Sequence, residues 1–354
     1  MSAEISIEPF RGDYENLERM AHISWRDEYG IASFPNFYRP AFLRYIFERI
    51  KPEERDHLIA AYRGDEIVGF MGNLPQRFHF QGKIYRATYS CLLVIRKELL
   101  RQGMATTLIK EGLRINQKYS YDFALFTLET GHRSTKMIEK FKREGHRVEG
   151  VKTFRVIARI LDLDRVALSE GIKAWERAAI VLIGGRRPPK KNERIVLREY
   201  RAADLDACFE LLNRYQSTVE LALVWERESL AWELQSPGVV QTLVYEKDGR
   251  ILGMINFIYH DHLGKTKERW AWVNHLAYPD LRPTERRDFV HAFLRYVGDA
   301  GCLGAVEWTR NYYPLGPFYR AHFFPYFRAV NLVSWTFNPD ISLRNLASVY
   351  EIQV

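Results

Sequence analysis

The sequence predicts an α+β / α/β fold made of two similar halves, each a twisted mixed β-sheet flanked by helices. Three observations carry this expectation. Strand-like and helix-like patterns alternate along the chain, one strand runs through a glycine-bearing loop into a helix at residues 89–113, and the order of elements restarts near residue 195.

Residues 5–7 read as a short strand. Residues 14–26 and 39–50 space their apolar side chains as helices do, and Pro40 suits a first helical turn. Residues 57–62 and 66–73 form a hairpin across Arg63-Gly64-Asp65. A second hairpin turns at Gln81-Gly82-Lys83 and leads into a β-branched and aromatic strand ending at Ile95. A helix over 103–118 follows, with Met104, Leu108, Ile109 and Leu113 at helical spacing. A strand at 122–128, a helix at 134–143 and a strand at 151–160 close the half.

Residues 162–194 read as a connection. Ile172, Trp175, Ala179 and Leu182 predict one amphipathic helix over 170–183, and Gly184-Gly185-Arg186-Arg187-Pro188-Pro189-Lys190-Lys191-Asn192 is basic and rich in helix breakers. The earlier order then repeats. A strand at 195–200, a helix at 203–215, a hairpin of 240–245 with 251–259, a strand at 269–278 and a helix at 286–300 predict a duplication. The expected domains are 1–161, a linker over 162–194, and 195–354.

At 354 residues the chain exceeds one usual domain, and its 47% hydrophobic and 27% charged content is that of a globular protein. No apolar run approaches the roughly 20 residues that span a bilayer, and the first residues lack the basic and apolar regions of a signal peptide. Cys91, Cys208 and Cys302 are few and far apart, which predicts free thiols. The expectation is a cytoplasmic protein with no membrane partner. No Cys/His cluster has metal-ligand spacing, so no metal is expected. The net charge of +8 is uneven: 27 Lys/Arg face 20 Asp/Glu in residues 1–160, 8 face 5 in 161–194, and 17 face 19 in 195–354. The positive half carries the glycine loop, where it would attract an anionic ligand. With no nucleic-acid module and no long basic run, nucleic acid is not the expected partner.

The loop Arg96-Lys97-Glu98-Leu99-Leu100-Arg101-Gln102-Gly103 joins strand to helix. Backbone N–H groups and the positive end of the helix dipole converge there, and a glycine lets an anion come close. A plain strand–turn–helix shares this pattern, but the residue order narrows the choice. The segment resembles motif A of the GNAT (GCN5-related) N-acetyltransferases, whose strand ends in Leu-x-Val and whose loop reads Arg/Gln-x-x-Gly-x-Gly/Ala. Leu93 and Ile95 fill the strand positions, and Gly103 and Ala105 the two small ones. Leu100 stands where Arg or Gln is usual, and Lys97 where Pro is common. The resemblance implies acetyl-CoA (an acyl-CoA) as co-substrate, held along Leu93, Val94, Ile95, Leu100, Arg101, Gln102, Gly103, Met104, Ala105 and Thr106, with Ser134 nearby. The second half resembles the same family through Pro279 and Arg282, but Glu285 and Arg287 take the small positions. A carboxylate there would repel pyrophosphate, so this copy is expected to be degenerate.

The resemblance implies direct attack by an amine, with the thioester carbonyl polarised by a backbone N–H on the strand at 93–95. In the family's motif B, Asn-x-x-Ala-x-x-x-Tyr-x-x-x-Gly-Phe, the Tyr often protonates the thiolate; here Phe141 stands in its place, Ser134 replaces the Asn and His146 the Phe. Tyr89, Glu129 and His132 are the remaining candidates for proton transfer, each also readable as core or loop. Tyr319 holds the motif-B tyrosine position of the second half and reads as structural or substrate-facing. Cys91 has no evident basic partner and reads as a small buried hydrophobe. Six of the eight tryptophans lie at 225, 232, 270, 272, 308 and 335, as core and interface or as a wall for an apolar or cationic acceptor. The expected function is acyl-CoA-dependent N-acetylation of a small-molecule or peptide amine in the first domain. Two alternatives remain open. One is an acyl-CoA sensor or partner-binding protein, motivated by Phe141; the other is an aminoacyl transferase using tRNA, motivated by the basic first half.

Overall fold

Residues 4–29, 33–100, 102–131, 134–191, 194–310 and 312–351 are described by a computed structural model. The first half runs β1 (Ile5–Pro9), α1 (Tyr14–Tyr29), β2 (Phe34–Pro35), α2 (Pro40–Phe47), β3 (Leu58–Arg63), β4 (Glu66–Phe80), β5 (Lys83–Ile95), α3 (Met104–Lys118), β6 (Phe123–Glu129), α4 (Ser134–Arg143) and β7 (Val148–Ile160). These are the expected elements except for the short β2, which the sequence did not predict, and β4 is longer than its apolar run predicts. Beyond Asn73, Leu74, Gln76, Phe78 and Phe80 keep the two-residue alternation of buried positions and carry the strand on to the turn.

The connection holds two helices where one was expected. Asp162 accepts from the Arg165 N–H and starts α5 (Leu163–Glu170), and Gly171 at φ +69° ends it. Helix α6 (Ala174–Leu182) then begins afresh, so the predicted span of 170–183 starts four residues too early. The second half runs β8 (Leu197–Glu199), α7 (Leu205–Gln216), β9 (Leu221–Leu223), α8 (Arg227–Leu234), β10 (Val240–Lys247), β11 (Arg250–Leu263), β12 (Lys267–Ala277), α9 (Pro283–Asp299), β13 (Gly304–Trp308), α10 (Gly316–Arg320), β14 (Phe324–Thr336) and β15 (Val349–Tyr350). Helix α9 begins three residues before the predicted 286 because Pro283 occupies its first turn.

The two sheets join into one, in the order β1-β3-β4-β5-β6-β14-β7-β13-β12-β11-β10-β8. Strand β14 of the second half lies antiparallel to β6 of the first, and β7 of the first lies antiparallel to β13 of the second. Each half thus closes its sheet with the other's last long strand, and β7 and β14 pair along the seam. Two smaller exchanges repeat the theme: β9 pairs with β4, and β2 with β11. The largest apolar cluster draws on both halves, from Phe42, Phe70 and Phe78 to Phe257, Phe289 and Phe293.

Two parallel strand pairs open at corresponding places. Strands β5 and β6 pair only from Ala87↔Phe123 to Ser90↔Phe126, and β12 and β13 only from Trp270↔Gly304 to Trp272↔Val306. Beyond those points each pair splays apart. The first strand of each pair also carries an irregular register at the splay, at residues 91–94 against β4 and at 273–275 against β11. A bulge takes its extra residue out of the ladder and re-aims it.

Candidate active site

The loop after β5 makes one short turn at Lys97–Leu99 and reaches Gly103, which caps α3 at φ +84°, ψ −3°. No side chain caps this helix, and its first turn has no carboxylate. The first-turn N–H groups of an α-helix have no intrahelical acceptor, so this end is left for an anion. A Cβ on Gly103 would meet nothing within 4 Å. The glycine is required by its backbone angle and faces open space.

The corresponding helix of the second half is closed to an anion. Arg282 caps α9, Pro283 removes one N–H, and the Glu285 carboxylate accepts from the Arg282 backbone N–H at 3.0 Å and from its guanidinium at 3.1 Å. These bonds hold the Glu285 carboxyl at about 2. By helix position the counterpart of Gly103 is Arg282 rather than Glu285, because Pro283 starts the helix early. The block on phosphate stands, since the chain's own carboxylate fills the place.

Both splays open onto one cavity of about 390 Å³. From the first half it is lined by Asn73, Ser90, Cys91, Leu92 and Leu93 and by Thr127, Leu128 and Glu129. Trp272, Val273, Asn274 and Trp308 line it from the second. A deeper part is apolar, walled by Met71, Ile109, Leu113, Ala124, Ile138 and Trp335. Leu92, at the bulge of β5, has φ +55°. A left-handed conformation costs a leucine on the order of 1–2 kcal/mol, a local strain that the packed sheet holds in place.

The polar groups divide by wall. On the first-half side, Asn73 accepts from Ser90 at 2.6 Å and leaves its Nδ2 without a partner among the described residues. On the second-half side, Asn274 donates to Glu233 at 2.6 Å and to Asn256 at 3.0 Å. A carboxylate only accepts, so this orientation is set and Asn274 Oδ1 is left without a donor among the described residues. His260 is hydrogen-bonded to the Asn36 backbone, and its Nδ1 is likewise unpartnered among the described residues. Burial, with Arg39 and His262 nearby, holds His260 well below the usual histidine range. It is therefore a neutral ring offering a lone pair. Asn73, Asn274 and His260 thus all line the cavity, and each has one buried polar atom without a partner among the described residues.

A buried network supports the acceptor wall. Trp225 donates to the Tyr350 hydroxyl at 2.7 Å, which lies 3.1 Å from His275 Nδ1, and His275 Nε2 lies 3.1 Å from Glu233. Arg49 of the first half reaches the same carboxylate at 2.9 Å. Burial opposes ionisation of Glu233, but these hydrogen bonds and the Arg49 charge prevail and hold it at about 2. Arg310, fully buried, donates to the carbonyls of Val273 and Asn274 at 2.8 and 2.6 Å and braces the bulge.

The predicted site residues fall in different places. Leu93 lines the cavity, whereas Val94 and Ile95 are buried in two separate apolar clusters. Leu100, Gln102, Gly103, Met104, Ala105 and Thr106 form the loop and first turn of α3. Arg101 and His132 lie outside the described residues, as does the side chain of Ser134. Glu129 is exposed and lines the cavity. Tyr89 is fully buried and stands one residue back, its hydroxyl donating to Thr127 at 3.2 Å. Burial raises its hydroxyl well above the usual tyrosine range. Cys91 lines the cavity as a thiol, pushed up to about 12 by burial. Phe141 is core, 4.7 Å from Trp335 between ring centres. Tyr319 is 49% exposed and is not among the cavity-lining residues. Sequence reading missed Asn73, Leu92, Thr127, His260 and Asn274. A signal existed for Asn274 alone, since Asn274-His275 interrupts an otherwise apolar strand in Trp270-Ala271-Trp272-Val273-Asn274-His275-Leu276-Ala277.

Comparison with known proteins fits this geometry. Residues 17–142 match the acetyltransferase (GNAT) family. The chain is 26% identical over 193 residues to a glycylpeptide N-tetradecanoyltransferase of Kluyveromyces lactis, a match over 54% of this chain and 40% of that protein. It thus spans less than half the length of that relative. Among solved structures, Saccharomyces cerevisiae N-myristoyltransferase with bound myristoyl-CoA superposes with a TM-score of 0.79 at 17% identity, over 99% of this chain and 85% of that one. A GCN5-related N-acetyltransferase from Kribbella flavida superposes with a TM-score of 0.52 at 12% identity, over 95% and 72%. The chain thus carries a GNAT-family match over residues 17–142 and, across almost its whole length, the fold of these solved structures, with the glycine loop, the strand splay and the duplicated order of elements in keeping with both.

Proposed function

We propose that this chain is an acyl-CoA-dependent N-acyltransferase that moves a long acyl chain, rather than acetyl, to the amine of a peptide. One observation carries the proposal: a single cavity reaches both splays, from Ser90, Cys91, Leu92 and Leu93 of β5 to Trp272, Val273 and Asn274 of β12. Its lining includes Met71, Ile109, Leu113, Ala124, Ile138 and Trp335, apolar side chains that suit an acyl chain longer than acetyl. The relatives point the same way, one named for transfer of a tetradecanoyl group to a glycylpeptide and one holding myristoyl-CoA.

In this reading the N–H groups at the start of α3 hold the pyrophosphate. The bulge at Leu92 and Leu93 turns a backbone N–H toward the thioester oxygen, where negative charge develops. Asn274 Oδ1 and His260 Nδ1 accept from the amine and aim its lone pair at the carbonyl carbon. The C–N bond forms, the C–S bond breaks, and CoA leaves as thiolate. The Thr127 hydroxyl, already accepting from Tyr89, can donate a hydrogen bond to that sulfur, and the thiolate takes its proton from solvent. Glu129, exposed and lining the cavity, is proposed to take the proton the amine loses.

The test is thiol release from acetyl-, octanoyl- and myristoyl-CoA with a peptide bearing a free N-terminal glycine. Release with the long-chain donors, absent when the N-terminus is blocked, is expected. Asn274→Ala should raise KM for the peptide tenfold or more while acyl-CoA binding is kept. Turnover of acetyl-CoA alone would overturn the long-chain assignment. Binding of acyl-CoA without turnover of any donor would favour the sensor reading that Phe141 motivates.

A further inference from the structure

Helix α6 has its apolar stripe on the wrong side for a core helix. Trp175, Ala178, Ala179 and Leu182 recur at i, i+3, i+4 and i+7 and are all exposed, while Ile172 and Ile180 take the inner side against the cluster around Trp270. Trp175 is 67% and Leu182 85% exposed, and Leu168 of α5 is 62% exposed. With Val181 and Ile183, five of the eleven exposed large apolar side chains of the described residues lie within residues 168–183. Such concentration marks an interaction surface rather than ordinary scatter.

The patch is held on a fixed mount. The buried Arg159 donates to the carbonyls of Gly184, Gly185 and Arg187, and Asp164 pairs with both Arg177 and Arg186. Around it, Lys173, Arg187, Lys190 and Lys191 are exposed and form no ion pair among the described residues. We propose that this face of α5, α6 and the following basic segment docks on an anionic lipid surface.

An outward Trp and Leu stripe rimmed by Lys and Arg matches a helix lying in a membrane interface, with the indole at headgroup level and the cations at lipid phosphates. The same charge argues against a second copy, which would bring cations against cations. No helix of the described residues is long and apolar enough to cross a membrane, so the contact is peripheral. This inference does not rest on the catalytic reading.

The test is co-sedimentation of the full chain with vesicles of phosphatidylcholine, with and without phosphatidylserine. Binding is expected only with the anionic lipid and should fall as salt is raised. Trp175→Ser with Leu182→Ser should weaken it at least tenfold, and Lys190→Glu with Lys191→Glu severalfold. All four side chains are exposed, so circular dichroism and CoA binding should match the wild type. Lipid binding that is absent, or unaltered by the Trp175/Leu182 pair, overturns the proposal. A dimer seen by light scattering and abolished by that pair, without lipid binding, overturns it in favour of a second copy.

Discussion

Gly103→Glu separates the charge of the anion site from its shape. At φ +84° any L side chain costs about 1–2 kcal/mol of stability. With nothing within 4 Å of the new Cβ there is no clash to add. Gly103→Gln carries the same strain and nearly the same bulk, so the difference between the two variants reports charge. A carboxylate about 5 Å from one phosphate charge is repelled by about 1 kcal/mol in a water-like medium, and by about 3 kcal/mol at an effective dielectric of 20. Calorimetry with CoA should therefore show Gly103→Glu binding about 5- to 150-fold more weakly than Gly103→Gln. Equal affinity of the two variants, within twofold, would refute the claim that the open end of α3 holds the pyrophosphate.

Three further outcomes follow from buried or capped charges. Glu233→Ala leaves Arg49 and Asn274 without their shared carboxylate, and denaturant unfolding should show a loss of about 3–5 kcal/mol. Glu307 is fully buried; burial pushes its carboxyl up to about 8, against the lowering effect of Arg310 and of its bond from Tyr313. Its unfolded value is 4.5, so the folded chain keeps a proton that the unfolded chain releases between those values. The contribution is fully present below 4.5 and lost as pH rises through about 8. Urea melts at pH 5 and pH 9 should show the wild type losing stability relative to Glu307→Gln, on the order of a few kcal/mol. Glu285→Ala removes the carboxylate that accepts from the Arg282 backbone N–H at the start of α9 and should cost about 1 kcal/mol. CoA stoichiometry should stay at one per chain, because Pro283 still lacks the N–H that a second phosphate site needs.

The glycine loop before α3 was legible because its determinants are local. A strand, one glycine and an amphipathic helix follow one another within residues 89–113, and Gly103 has the left-handed angle its position predicts. The second-half loop was legible in outcome but misaligned by three residues, since counting along a motif ignores the power of Pro283 to start a helix. The helix over 170–183 was right in place but began four residues early: Gly171 ends one helix before another begins, and spacing alone cannot tell an inward stripe from an outward one. Tyr89 was singled out for its chemistry and place on the strand, yet the two-residue alternation turns it into the core, with only Thr127 between it and the cavity.

By itself the sequence determined the order of the long elements of the first half and the duplicated plan, because caps, turns and periodicity act over a few residues. The tertiary structure decided what those elements enclose. Strands β7 and β14 cross between halves, and any sequence with this order of elements is compatible with either closure, since strand pairing is settled by partners far apart in the chain. That exchange brings Asn274 and His260 to the same cavity as Leu92 and Thr127. An acceptor's significance lies in having no donor of its own, and only the packed chain reveals which polar atoms are left without one.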